Sequence, residues 1–75
     1  MLKATNIRIS NNMILCTVSG SDFEIELQIV IGDWENITVS NNEYYMEGCL
    51  VRNRIYRLYN EQNGKLPDSF SLYFG

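Results

Sequence analysis

Asp22-Phe23-Glu24-Ile25-Glu26-Leu27-Gln28-Ile29-Val30-Ile31 is the most regular alternation of polar and apolar side chains in the sequence. Phe23, Ile25, Leu27, Ile29 and Ile31 fall on one side of it, and Asp22, Glu24, Glu26, Gln28 and Val30 on the other. A period of two is that of a strand, so the stretch predicts a half-buried β-strand with one face in a core and one in water. The segments around it read the same way. Upstream, Gly20-Ser21 marks a tight turn and Met13 to Ser19 a second strand. Asn11-Asn12 suits a two-residue type I′ hairpin, because asparagine tolerates positive φ, and it leads back to a strand at Asn6 to Ser10. Downstream, Gly32-Asp33-Trp34-Glu35 reads as a loop before a shorter strand, Asn36 to Ser40. Four strands with short connections predict an antiparallel meander.

Asn6-Ile7-Arg8-Ile9-Ser10-Asn11-Asn12 recurs as Asn36-Ile37-Thr38-Val39-Ser40-Asn41-Asn42, both copies reading as a strand that ends in a turn. With two copies and dissimilar sequence after each, this is not a repeat array.

After Ser40 the period changes. Tyr44, Gly48, Val51, Ile55, Leu58 with Tyr59, and Gln62 are spaced as one face of a helix. Ser40-Asn41-Asn42-Glu43 has the pattern of a capping box at its start. Gly64 suits a left-handed residue just past its end, Lys65 a charge favourable there, and Pro67 a stop. Glu43 to Glu47 also reads as a fifth strand after an Asn41-Asn42 hairpin, since glycine inside a helix costs roughly 1 kcal/mol and Tyr44-Tyr45 favours strand. Ser69 to Phe74 alternates again, with Phe70, Leu72 and Phe74 on one side, and reads as a final strand that must pair within the sheet or with another chain. The expected architecture is α+β: a four-stranded antiparallel β-meander, one helix packed on its apolar face and a C-terminal strand, all in one small domain over residues 1–75. The expected core is Ile7, Ile9, Ile14, Cys16, Val18, Phe23, Ile25, Leu27, Ile29, Ile37 and Val39, covered by Val51, Ile55 and Leu58.

A 75-residue chain buries only about 60% of its unfolded surface and typically has roughly 3–5 kcal/mol of stability, so an enclosed substrate pocket would remove packing it needs. Binding at a surface is expected instead. Met1 to Asn6 lacks the apolar run of a signal peptide and no stretch approaches membrane-spanning length, so a cytoplasmic protein is expected. There Cys16 and Cys49 are reduced thiols, with packing as their default role. The sequon Asn36-Ile37-Thr38 has no meaning in that compartment.

The sequence contains no histidine, which removes Ser-His-Asp and Cys-His schemes and histidine-based metal chemistry. Two cysteines alone do not complete an ordinary zinc site, and no phosphate-binding loop is present. Asp33 and Glu35 are the nearest approach to paired carboxylates, in what reads as a solvated loop. No catalytic residue, cofactor or metal is expected.

Charge carries the remaining signal. No basic residue lies between Arg8 and Arg52, while Asp22, Glu24, Glu26, Asp33, Glu35, Glu43 and Glu47 do; Arg52, Arg54 and Arg57 follow. On the expected strand, Asp22, Glu24 and Glu26 form a ladder with steps of about 6.7 Å. Such a row can be the wet face of a strand, since neighbours at that distance repel by only about 0.6 kcal/mol in water. It can also occupy a basic groove, steered there by complementary charge. The net charge of −3 disfavours nucleic acid and anionic membrane as ligands.

The first functional expectation is therefore a non-enzymatic acidic protein that occupies a basic protein surface through Asp22, Glu24, Glu26, Asp33, Trp34 and Glu35, Trp34 being either an interface anchor or the cap of a small core. Phage inhibitors of the anti-CRISPR and anti-restriction type work in this manner, an analogy of size and charge and not of motif. A second expectation is a structural subunit, a homodimer or larger, that self-associates through Phe70, Leu72 and Phe74. A third is single-stranded nucleic-acid binding through Arg52, Arg54 and Arg57, with Tyr56 available to stack on bases.

Overall fold

Asn11 and Asn12 both take left-handed backbone angles, φ 51° and 62°, and so close the two-residue turn their sequence predicts. The strands they join are β1 (Leu2–Ser10) and β2 (Met13–Ser19), followed by β3 (Glu24–Val30) and β4 (Asp33–Val39). A short 3-10 turn at Asn42–Tyr44 leads into helix α1 (Tyr45–Glu61), and the chain returns as β5 (Phe70–Leu72). This computed structural model describes residues 1–73. All neighbouring strands are antiparallel in the order β4-β3-β2-β1-β5, and α1 lies over one face, with Val51 and Ile55 fully buried. The architecture is α+β, a meander plus one helix and a C-terminal strand.

β1 begins earlier than the sequence pattern suggests, at Leu2, and the reason is a change of phase. Leu2 and Ala4 are buried while Lys3 and Thr5 are not, yet further along the same strand it is Ile7 that is buried and Arg8 that is exposed. Asn6 and Ile7 together oppose the single residue Cys16, a bulge in which Asn6 adopts φ 54°. The extra residue inverts the alternation, so both apolar sets reach the same core. Ile9 also turns toward the helix side but is 49% exposed, beyond the cover of α1, and is not a core residue.

The turn between β3 and β4 is tighter than expected. Gly32 takes φ 88° and closes a two-residue connection in which Val30 pairs Asp33. Asp33, Trp34 and Glu35 therefore belong to β4, not to a loop, and the register shift beside them spaces Asp33 four residues from Ile37 while their partners Val30 and Ile29 are adjacent.

The start of the helix differs from the expected capping box. Asn41, not Ser40, accepts the Glu43 amide on its Oδ1 at 3.0 Å. Ser40 instead continues the sheet, its Oγ accepting the Glu26 amide at 2.9 Å while its own amide donates to the Glu26 carbonyl at 3.0 Å. Glu43 to Glu47 lie in the 3-10 turn and first turn of α1, which removes the alternative of a strand there. At the other end Gly64 has φ 85° and its amide donates to the Tyr59 carbonyl at 2.8 Å, the expected left-handed stop.

Three core residues, Leu2, Ala4 and Leu72, come from the two terminal segments. β5 pairs with β1 (Leu2 with Leu72, Ala4 with Phe70), so the C-terminal strand completes the chain's own core. Phe23, Ile37 and Leu58 are half-buried at its margins.

Candidate functional site

The seven acids that are consecutive charges in sequence separate into three places in the fold. Glu24 and Glu26 project from β3 on the sheet face away from α1; Asp22 sits in the turn before β3 and not on the strand, which shortens the expected ladder from three members to two. Glu26 is held in place: Thr17 Oγ1 on β2 donates to its Oε2 at 2.9 Å. Asp33 and Glu35 are exposed on β4 at the opposite end of the strands, where Asp33 accepts a 3.4 Å hydrogen bond from Asn36. They do not join the first group.

Glu43 and Glu47 do join Asp22. All three act on Tyr44, whose hydroxyl is pushed above its ordinary value first by desolvation, then by Glu43, and then by the charges of Asp22 and Glu47. Tyr44 is fixed there by its ring, which stacks on Phe23 with centroids 4.1 Å apart and planes 9° apart. The Phe23 ring in turn lies over Gly20, where an added Cβ would collide with it. Carboxylates in the first turn of a helix also meet its positive end favourably, so Glu43 and Glu47 are cheap to keep there. Beside this acidic corner runs a groove of about 300 Å³ with Leu2, Phe23 and Leu50 as apolar walls and Glu47 on its rim.

The helix-free face of the sheet has its own pattern. Strand pairing sets rows across it: Lys3, Ser19 and Glu24; then Thr5, Thr17 and Glu26; then Arg8, Leu15 and Gln28; then Ser10, Met13 and Val30. The two basic residues that precede the charge gap in sequence thus return to the same face as Glu24 and Glu26, two strands away, or about 10 Å. Nothing in the alternation reveals this, because the bulge at Asn6 is what turns Arg8 outward.

Trp34 is half-buried and caps the core edge, with its ring edge-on to Tyr56 and Tyr59 at 5.1 and 5.4 Å. It is not an isolated exposed anchor. Its carbonyl accepts Arg52 Nη1 at 2.6 Å, and Arg52 Nε donates to Asn53, so this arginine is engaged in holding α1 to β4. Arg54 and Arg57 face the other side of the helix and line a groove of about 240 Å³ against Leu72 and Tyr73. The three arginines do not form one surface. Leu72 is buried and Phe70 half-buried against the core, while Phe74 lies outside the described residues.

Cys16 is buried and its thiol is pushed up to about 12, chiefly by desolvation and secondarily by Glu26, against a lowering by Arg8. A thiol that stays protonated at neutral pH is no nucleophile. Because the folded chain resists its ionisation, stability is intact below the ordinary thiol range and falls as pH rises from about 9 toward 12, where the unfolded chain releases the proton first. Iodoacetamide at pH 8 is accordingly expected to label half-buried Cys49 and to spare Cys16 until denaturant is added; mass spectrometry of the native chain reads this directly, and rapid native labelling of Cys16 would place that strand in an opened state.

Among the described residues no group of three or more histidine, cysteine or acidic side chains is arranged to hold a metal ion, and no helix is long and apolar enough to cross a membrane. Comparison with family models, with curated proteins and with solved structures finds no match for this chain.

Proposed function

We propose that this chain is a non-enzymatic acidic binding protein that seats the corner formed by Asp22, Glu43 and Glu47, together with Glu24 and Glu26 on the adjoining helix-free face of β3, on a basic surface of a macromolecular partner. The observation that carries the proposal is the coincidence, at one corner, of carboxylates around Tyr44 and an apolar-walled groove with Glu47 at its rim. Lysine and arginine combine an apolar stem with a charged head. A groove walled by Leu2, Phe23 and Leu50 takes the stem, and the surrounding carboxylates take the head. Thr17 and the Phe23–Tyr44 stack hold parts of the corner in place before a partner arrives, which lowers the ordering cost of binding. If the partner's basic surface is one that holds nucleic acid, the outcome is inhibition of the phage anti-CRISPR or anti-restriction kind. A cytoplasmic location follows from such a partner.

The test is affinity capture from a lysate of the source organism with wild-type chain and with the isosteric variant Asp22→Asn/Glu24→Gln/Glu26→Gln. All three side chains are exposed, so the variant is expected to melt within about 0.5 kcal/mol of wild type. It is expected to lose a partner with a basic surface that wild type retains at low ionic strength. Equal recovery of the same partner by both chains would remove these acids from the binding role.

A further inference from the structure

We infer that the helix-free face of the sheet pairs with the same face of a second copy, forming a twofold-symmetric dimer in which Lys3 of each chain meets Glu24 of the other. The row order on that face sets the pairing. Lys3 on β1, Ser19 on β2 and Glu24 on β3 lie in one row, with the base and the acid on either side of the central strand. Two such faces stacked about 10 Å apart, related by a twofold axis running along β2, bring β1 of one copy over β3 of the other at the same height. Each Lys3 then faces a Glu24 and each Arg8 faces a Gln28, twice over. On the axis itself Leu15 meets Leu15, half-buried in the single chain and covered in the pair. The roughly 30° between aligned sheets displaces the charged row by a few ångströms, within the reach of lysine and glutamate side chains.

A different axis does not reproduce this match. A twofold across the strands reverses the height of the rows and sets the Lys3 row against the Ser10 row, where no acid stands on the facing strands β1 to β3. The face is small. Five strands span about 19 Å and a seven-residue strand about 23 Å, so each copy contributes on the order of 400 Å², the size of a weak, reversible contact. Leu2 and Leu50, walls of the corner groove, belong to the helix side and stay outside the contact. The dimer thus goes beyond the partner-binding role proposed above, though both draw on Glu24.

Sedimentation equilibrium from 10 µM to 1 mM tests the pairing with charge reversals at two exposed positions. The wild-type chain is expected to rise from a mass of 8.7 kDa toward twice that over the range. Lys3→Glu and Glu24→Lys each put like charges at two symmetric contacts and are expected to weaken association by about tenfold or more. The double variant Lys3→Glu/Glu24→Lys restores opposite charges across the axis and is expected to associate like wild type. Circular dichroism establishes that each variant is folded. A wild-type chain that stays monomeric throughout, single reversals that associate as well as wild type, or a double reversal that does not recover would each overturn the pairing. Lys3→Glu leaves every carboxylate of the acidic corner in place, so its effect on association is separable from partner capture.

Discussion

Ile55→Ala is expected to leave a large fraction of the chain unfolded at 25 °C without denaturant. Ile55 is fully buried at the centre of α1 and is among the largest side chains with no exposure. Removing its outer carbons loses their burial and leaves a cavity, a cost of about 2–5 kcal/mol for isoleucine to alanine. A domain of this length has roughly 3–5 kcal/mol to lose. The same truncation at Met46 on the outer face of the helix, 69% exposed, is expected to stay within about 0.5 kcal/mol of wild type. Urea titration followed by helical circular dichroism reads both. Equal midpoints for the two variants would mean that α1 is not docked on the sheet.

Gly48 is the second residue on which the fold turns. In an isolated helix, glycine to alanine gains about 1 kcal/mol. Here a Cβ at position 48 would lie 2.7 Å from Val39 Cγ1 and 3.4 Å from Leu27 Cδ1. Val39 is β-branched and buried, so it has no alternative rotamer to retreat to without disturbing β4. Overpacking of this kind costs about 1–3 kcal/mol, and Gly48→Ala is expected to destabilise by about 1 kcal/mol net despite its better propensity. Gly48→Val, which adds branched bulk at the same point, is expected to approach the full stability of the domain. Val39→Ala in the Gly48→Ala background vacates the contested space, and the pair is expected to be less destabilised than the sum of the single changes. A Gly48→Ala chain more stable than wild type would mean that the helix stands further from the sheet.

These two residues also show what the sequence discloses and what it does not. The alternation from Phe23 to Ile29 is visible because β3 is an inner strand with one face in the core and one in water, and its buried set is Ile25, Leu27 and Ile29. Gly48 within a helical period looks like a defect until Val39 is seen above it. β1 misleads for a similar reason: Lys3 and Thr5 are odd-numbered and outward, Ile7 is odd-numbered and inward, and only the bulge at Asn6 reconciles them.

The twin Ser-Asn-Asn motifs end in different structures. Asn11-Asn12 has a paired strand on either side and closes a hairpin, whereas Asn41 accepts the Glu43 amide and caps a 3-10 turn.

At the candidate site, the acidic bias is plain in the sequence but its division is not. Glu43 and Glu47 reach Asp22 because the helix begins at the end of the sheet where β3 begins. Asp33 and Glu35 are removed from them by the full length of a strand. Lys3 and Arg8, which bracket one end of the charge gap, come back to the acidic face only through strand pairing. Charge that is segregated along the chain is thus partly recombined on the sheet and left uncompensated at the helix start.

That distinction can be mapped on the isolated chain. A ten-residue peptide of alternating lysine and arginine, titrated into isotopically labelled protein and followed through its backbone amide resonances, is expected to shift residues 20–26 and 43–50 saturably. Asp33 to Asn36, exposed in their acids but without the groove, are expected to stay in place, and the Asp22→Asn/Glu24→Gln/Glu26→Gln variant to lose the response. Shifts spread evenly over every exposed acid, Asp33, Glu35, Glu61 and Asp68 included, would show that the acidic corner has no binding role of its own.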